Sequence, residues 1–323
     1  MWDFSVARSF AILAATFPFI LLRLVVFYGI SLAYIFATGT GAAFGYGLGS
    51  AFADDPAGPA FFGGIFGIGI VSVALYWLRE YILYLVKAGH IAVMVEAYDG
   101  RNLPAGQGQL RYAREIVTAR FAETNILFAI DQLVKGVVGA ITRMVWTVAA
   151  ILPIPGLQGL VNFLNAVIRV ALTYVDEIIL AYDIRERSDN PWATAQDALV
   201  LYAQNNRIVI KNAIWLALFM YLVAFIVFLL MLAPAAAIVY LFPGSWSGFG
   251  FVLAIIFAWS FKAAIMEPFA IASLMQVYFG MIEGQVPDPV WRTRLEGVSA
   301  KFRTLGEKAI DWVRGRPAAA RSF

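Results

Sequence analysis

The sequence predicts an all-α, polytopic integral membrane protein, and three observations support this fold class. Hydrophobic residues make up 61% of the 323 residues and charged residues only 14%, whereas soluble domains average about 45–50% and about 25%. Several uncharged runs are long enough to cross a bilayer as helices. Lysine and arginine cluster in the segments between these runs. A soluble domain of this size could not cover so much apolar surface, which excludes a soluble enzyme, a disordered regulator and a disulfide-stapled secreted domain.

Four runs are predicted to span the membrane, because about 20 apolar residues in a helix cross about 30 Å of hydrocarbon. The first, at 10–37, is apolar apart from Arg23 and is too long for a cleaved signal peptide. The second, at 56–78, has no charge. One long apolar stretch supplies the third and fourth spans, at about 212–241 and 249–282, because a turn-like cluster interrupts it.

The stretch 144–182 predicts a re-entrant helical hairpin. Its charge-free part is interrupted by a Pro-Ile-Pro-Gly sequence at 153–156. The apolar residues before the break reach only partway across a bilayer at about 1.5 Å per residue. Non-helical backbone at that depth is tolerated where protein or water covers it. Two full, tilted crossings are the alternative, and the charge pattern is compatible with both.

The distribution of basic residues predicts the orientation. The segments 38–58 and 242–248 contain no lysine or arginine, whereas 87–143, 183–211 and the tail after 284 are rich in both. We therefore expect both termini to be cytoplasmic, in a multi-pass protein of the cytoplasmic (inner) membrane. The net charge of +3 and the absence of cysteine suit this location, and the basic segments are expected to face anionic lipid and not nucleic acid.

These features divide the chain into five segments. They are an N-terminal helix pair at 1–86, a cytoplasmic or interfacial helical segment at 87–143, the re-entrant hairpin at 144–187, a cytoplasmic helix with the C-terminal helix pair at 188–284, and a basic amphipathic tail at 285–323. Asn190 and Pro191 predict a helix start, with Asn as the N-cap and Pro at the first helical position. The apolar spacing of the tail predicts an amphipathic helix near anionic lipid.

Ionisable side chains within apolar runs are the main functional candidates, because a charge in lipid is costly unless it is paired or hydrated. Five residues qualify: Arg23, Asp176, Glu177, Lys262 and Glu267. In an α-helix Lys262 and Glu267 would lie about 140° apart and face different helices, and Pro268 would kink the helix and free a carbonyl group beside the acid. Asp176 and Glu177 are expected to end a helix near the interface.

Two interpretations of these charges stay open. In one, Arg23 pairs with a buried acid, Glu267 or Asp176, and fixes the packing. In the other, the five residues line a path that binds an ion or a cationic head group.

Glycines at a spacing of four predict close helix packing. Gly41, Gly45 and Gly49 form one series, and Gly63 and Gly67 form another. Small residues at this spacing let two helices approach closely. The contact is expected either within the chain or between protomers, so a homo-oligomer is one possible assembly.

Residues 157–284 resemble the C-terminal half of the choline transporter-like membrane proteins. The matching order is a short apolar helix at 160–165, a segment ending at 175–182, a cytoplasmic helix at 192–201, the sequence Asn-Asn-Arg-Ile-Val at 205–209 and two long hydrophobic spans. That family has more spans and a large extracellular loop between the first two, which here is short. The resemblance implies a transporter-like fold and an organic-cation or lipid-head-group substrate. It carries over no binding residue, because no family motif falls on particular positions.

The sequence contains no catalytic pattern that stands out, and we expect no enzyme, no metal site and no cofactor. His90 is the only histidine, and cysteine is absent. The leading functional hypothesis is a transporter or channel-like protein for a small solute, an organic cation or a lipid. The alternative is a non-catalytic membrane scaffold or accessory subunit that docks a partner membrane protein.

Overall fold

A computed structural model of the chain describes residues 2–52, 55–103, 108–120, 124–149, 174–240 and 247–315. The described residues form helices and turns and no strand. The α-helices are α1 (Val6–Ala15), α2 (Phe17–Phe52), α3 (Ala57–Tyr98), α4 (Gly108–Arg120), α5 (Thr124–Ala149), α6 (Val175–Glu186), α7 (Pro191–Gln204), α8 (Asn206–Tyr240), α9 (Ser247–Phe261), α10 (Glu267–Ile282), α11 (Pro289–Val298) and α12 (Ala300–Gly315). A π-helix, Lys262–Met266, joins α9 to α10.

Among the described residues, three helical stretches are long and apolar enough to cross a membrane. They are Phe17–Phe52, Asn206–Ala237 and Ala254–Ile282. Protein covers little of the first two, since only 28% and 22% of their most apolar windows are buried. Long apolar helices with so much uncovered surface are expected of a membrane protein. The predicted second span lies on α3, whose described apolar part is Ala57–Val73.

The chain divides into two compact units. The first comprises Met1–Pro18, Ala88–Leu222 and Pro268–Phe323, and the second comprises Phe19–Lys87 and Val223–Glu267. In the first unit, α5, α6, α7, α11 and α12 pack on one another. Its core includes the fully buried side chains of Leu199, Phe302 and Leu305.

The predicted start of α7 is confirmed. Asn190 is the N-cap, and its side chain accepts a hydrogen bond from the Ala193 amide at 3.2 Å. Pro191 occupies the first helical position, where its missing N–H costs no intrahelical bond.

The tail is helical and amphipathic, and protein covers part of its apolar face. Two helices replace the single predicted one, because α11 ends at Val298 and α12 begins at Ala300. Leu295, Phe302 and Leu305 are buried, and both helices pack on α5 and α7. Val298, in the same predicted stripe, is exposed, so the placement of the tail near anionic lipid stays a prediction. An amphipathic stripe has the same sequence pattern whether it faces protein or membrane.

Two predicted segment boundaries fall inside continuous helices. The first helix pair was expected to end at residue 86, but α3 continues unbroken to Tyr98. Residues 144–149 continue α5, which begins at Thr124, and do not start a separate short helix. The Pro-Ile-Pro-Gly turn and most of the predicted hairpin lie outside the described residues.

Candidate functional site

Arg23 lies in the second unit, where protein groups surround its guanidinium. Its Nε and Nη2 donate to the Ala263 carbonyl oxygen at 3.2 and 2.5 Å, and Nη2 donates to Glu267 Oε2 at 3.1 Å. The guanidinium carbon also lies 5.5 Å from the centre of the Phe27 ring. The Arg23 side chain is 2% exposed and that of Glu267 is 24% exposed. The anticipated pairing of Arg23 with Glu267 is thus observed.

The Ala263 carbonyl is available to Arg23 because of the local helix geometry. The Glu267 amide donates to the Lys262 carbonyl, five residues back, in the π-helical pattern. The next amide in that pattern belongs to residue 268, which is a proline and has no N–H. The Ala263 carbonyl therefore lacks this backbone donor, and the arginine supplies two N–H groups in its place.

The π-helix corrects the predicted geometry of Lys262 and Glu267. A π turn bonds residue i to residue i+5, so these two positions lie on consecutive turns, one above the other. The expectation of about 140° assumed an uninterrupted α-helix. Lys262 is partly buried at the first position of the π-helix.

Asp176 and Glu177 begin a helix, whereas the sequence placed them at the end of one. They occupy the first turn of α6 in the first unit, and both are buried. Lys135 on α5 lies 2.6 Å from an Asp131 oxygen and 3.7 Å from an Asp176 oxygen. Carboxylates in the first turn interact favourably with the helix dipole. This arrangement links α5 to α6 through charge.

The five predicted packing glycines lie at a close contact between α2 and α3 in the second unit. They are Gly41, Gly45, Gly49, Gly63 and Gly67. A methyl group on Gly41 would lie 2.2 Å from the Gly63 carbonyl oxygen, and one on Gly67 would lie 2.0 Å from the Ala37 carbonyl oxygen. The two backbones are therefore too close for any side chain at these positions. This contact is within one chain.

The first unit contains a polar cavity of about 480 Å³ that the sequence did not predict. We call it the charged cavity; it is lined by Arg8, Tyr98, Asp99, Tyr182, Arg185, Glu186, Phe279 and Glu283, among others. Its volume lies within the range of about 300–1,000 Å³ typical of small-molecule sites. None of these residues was among the five ionisable candidates.

Four helix ends bring the lining residues together. Arg8 follows the N-cap of α1, where the Ser5 hydroxyl accepts a hydrogen bond from the Arg8 amide. Tyr98 ends α3, Glu186 ends α6, and Glu283 directly follows α10. Gly284, at φ 72°, then turns the chain through a backbone conformation that residues other than glycine rarely adopt. The charged residues thus lie just beyond the apolar parts of four separate helices.

Two arginines of the charged cavity stack on aromatic rings. The Arg8 guanidinium lies 4.2 Å from the centre of the Tyr98 ring and donates to the Tyr98 carbonyl at 3.1 Å. The Arg185 guanidinium lies 4.5 Å from the centre of the Phe279 ring and pairs with Asp99 at 3.0 Å. Among the described residues, no carboxylate lies within ion-pair distance of Arg8. Its remaining N–H groups are therefore available to an anion.

The acidic side of the charged cavity is formed by Glu186 and Glu283. Both are exposed, and neither forms an ion pair with another described residue. Tyr182, which lies outside the three candidate spans, adds a phenol group. Burial raises its pKa to about 12, and the negative charges of Glu186 and Asp197 contribute. The phenol therefore stays neutral and can donate a hydrogen bond at physiological pH.

A second ionic cluster in the first unit fixes the end of α3. Glu96 is 1% exposed and pairs with Arg101 at 2.7 Å and Arg187 at 3.1 Å. Arg187 follows α6 in a left-handed conformation, at φ 53°. The only sequence signal for this cluster was an acid directly after the apolar residues 91–95. The cluster holds the ends of α3 and α6 in place beside the charged cavity.

Comparison with known proteins identifies no relative of this chain. No protein-family model matches it, and neither a curated protein nor a solved structure matches it significantly. The resemblance of residues 157–284 to choline transporter-like proteins therefore stays a prediction.

Proposed function

We propose that this protein is a membrane transport protein for a small polar solute or a lipid, and that its substrate binds in the charged cavity. The main supporting observation is the cavity itself, because one guanidinium and two carboxylates that have no ion-pair partner among the described residues line the same half-open space. Small-molecule sites use a few convergent polar groups in a concavity of this volume to orient their ligand.

The proposed topology has four spans, with α3 as the second, and both termini in the cytoplasm. The connector between α2 and α3 carries acids and no basic residue, while the basic segments follow α3, α6 and α10. This asymmetry supports the orientation through the positive-inside rule. A cytoplasmic (inner) membrane location and the re-entrant hairpin at 144–182 belong to the same proposal.

Flux measurements in proteoliposomes test the transport function. One arm measures uptake of radiolabelled choline, ethanolamine and glycerophosphoethanolamine, and the other measures scrambling of a fluorescent phosphatidylethanolamine. We expect at least one probe to move faster than in protein-free liposomes. The double variant Glu186→Gln/Glu283→Gln should lose this flux, while Glu296→Gln, which changes an exposed acid outside the cavity, should keep it. No flux of any probe would contradict the proposal.

A non-catalytic scaffold is the second candidate function, and one observation favours it. Arg23 donates to the Glu267 carboxylate and to a backbone carbonyl, so both charges already have protein partners without a cargo. In that case the charges of the second unit serve packing alone. Absence of flux, together with stable co-purification of a partner membrane protein, would support the scaffold.

A further inference from the structure

The distribution of charge in the charged cavity restricts the ligands that it can hold. Arg8, Glu186 and Glu283 line the same space, and none of the three forms an ion pair within the part of the chain that the structure describes. A purely anionic ligand would be repelled by the acids, and a purely cationic ligand would leave Arg8 without a partner. Both charges are compensated when a ligand carries an anionic and a cationic group together.

The aromatic rings of the cavity argue against a quaternary ammonium group. Such groups bind to open aromatic faces, but Arg8 covers one face of the Tyr98 ring and Arg185 one face of the Phe279 ring, two of the three aromatic rings that line the cavity. Carboxylates instead favour an ammonium group with N–H donors, because each N–H can form a charge-assisted hydrogen bond. The cavity therefore fits a primary ammonium group better than a methylated one.

The anionic group of the ligand is matched by the arginine side of the cavity. The Arg8 guanidinium is held by its stacking on Tyr98 and its bond to the Tyr98 carbonyl, so its orientation is fixed before a ligand arrives. A guanidinium in fixed orientation binds phosphate or carboxylate through two parallel hydrogen bonds. The neutral Tyr182 phenol adds a further donor at the same cavity.

We propose that the charged cavity binds a zwitterion with a primary ammonium group on Glu186 and Glu283 and a phosphate or carboxylate group on Arg8. This inference rests on the proposed function and names its substrate class. The same chemistry occurs in the head group of an ethanolamine phospholipid and in free zwitterions of similar size. The inference concerns binding, so it can be tested without any measurement of flux.

Binding is measured by isothermal titration calorimetry on the full chain in nanodiscs of phosphatidylglycerol. The free probe is glycerophosphoethanolamine, and the lipid probe is dihexanoyl phosphatidylethanolamine. Glycerol 3-phosphate, ethanolamine and glycerophosphocholine each lack one proposed feature and should bind at least about tenfold more weakly. Tight binding of the lipid probe alone would show that the ligand of the cavity is the head group of a membrane lipid. Equal binding of both probes would show that the acyl chains contribute nothing to affinity.

Variants locate the binding in the cavity. Arg8→Gln and Glu186→Gln/Glu283→Gln should each weaken glycerophosphoethanolamine binding by about tenfold or more. Arg8→Lys, which keeps the charge but loses the bidentate fork, should give an intermediate loss. The matched controls Arg207→Gln and Glu296→Gln change exposed residues outside the cavity and should bind like the wild type. The two glutamates form no ion pair with described residues, so their variant should fold even if Arg8→Gln does not.

Three results would overturn the inference: unchanged binding in the double glutamate variant, equal binding of ethanolamine alone, or equal binding of glycerophosphocholine. Failure of the proposed function is distinguishable from these results. Binding that depends on the cavity residues without flux would refute transport and leave the zwitterion site in place. Flux with binding that ignores the cavity residues would refute the zwitterion site and leave transport in place.

Discussion

Arg23 shows how a single charge can be accommodated within an apolar helix. The guanidinium donates hydrogen bonds to two groups at once, the Glu267 carboxylate and the Ala263 carbonyl. The carbonyl needs this donor because Pro268 has no N–H. The sequence predicted the acid as a partner and a freed carbonyl near it, but not the π-helix, since no sequence pattern distinguishes a π turn from an α turn.

The first prediction concerns this ion pair. Arg23→Met should lower the free energy of unfolding by about 1–3 kcal/mol, because it leaves the Ala263 carbonyl and the partly buried Glu267 carboxylate without their donor. Unfolding is followed by circular dichroism during titration of micelles with SDS. The double variant Arg23→Met/Glu267→Leu should recover part of the loss, since it removes the unpaired charge. Wild-type stability of Arg23→Met would show that the pair does not fix the packing.

A second prediction concerns the acid stability of the N-terminus in the first unit. Hydrogen bonds from Asn212 and Lys211, with the charge of Lys211, lower the pKa of Asp3 below its usual value of 3.8. Because the folded-state pKa is lowered, the stabilisation is present above the unfolded pKa and is lost as the pH falls through the folded pKa. The wild type should therefore be more heat-stable than Asp3→Asn at pH 6.

This advantage should shrink as the pH is lowered below about 4. Thermal unfolding curves of both proteins between pH 6 and pH 3 measure it. Glu296→Gln, a change at another exposed acid, serves as the control for general acid effects. A difference between the wild type and Asp3→Asn that does not change with pH would contradict the role assigned to the Asp3 carboxylate.

At the scale of elements, the contact between α2 and α3 depends on the absence of side chains. A glycine spacing of four predicts such a contact from sequence alone, because it places small residues on one helix face. Whether the opposing helix belongs to the same chain or to another protomer is not encoded in that spacing. The structure places the two helices of one chain against each other.

The third prediction compares two glycines on the same helix. Gly67→Ala places a methyl group 2.0 Å from the Ala37 carbonyl oxygen, which forces the helices apart and should cost about 1–3 kcal/mol of stability. Gly69→Ala meets no atom within 4 Å and should be neutral or slightly stabilising, because alanine favours helix over glycine. Both are measured by the same SDS titration. Equal stability of the two variants would contradict the close contact.

The charged cavity could not be predicted from the sequence, because it is formed where the ends of four helices meet. Hydrophobic periodicity locates the middle of a helix, and capping residues such as Asn190 and Pro191 locate its start. It carries no information on which ends meet in space, and Arg8, Asp99, Arg185 and Glu283 are far apart in the sequence. Of the charges inside the apolar runs, Arg23, Glu267 and Asp176 have protein partners.

For the whole molecule, composition alone predicted a helical membrane protein, because 61% hydrophobic residues cannot be covered in a soluble chain of this length. The number of crossings and their direction depend on finer signals. The described part of the chain contains three helices that satisfy length and composition. The topology therefore depends on two points that labelling can test: whether α3 crosses the membrane, and whether the termini lie in the cytoplasm.

The fourth prediction tests this topology by cysteine labelling, for which the natural chain is a cysteine-free background. Single variants Asp55→Cys, Asn102→Cys and Glu307→Cys are treated with an impermeant maleimide in right-side-out vesicles. Only Asp55→Cys should react before permeabilisation, and all three should react after it. Reaction of Asn102→Cys in sealed vesicles would show that α3 does not cross, and reaction of Glu307→Cys would place the C-terminus outside.

The central claim is that the ligand of this membrane protein binds in the charged cavity and not beside Arg23. A density map of the protein in nanodiscs that contain phosphatidylethanolamine, with glycerophosphoethanolamine added, tests it most directly. The account predicts acyl-chain density along the uncovered faces of α2 and α8, and density of head-group size between Arg8 and Glu283. An empty cavity together with ligand or ordered water beside Arg23 and Glu267 would contradict it.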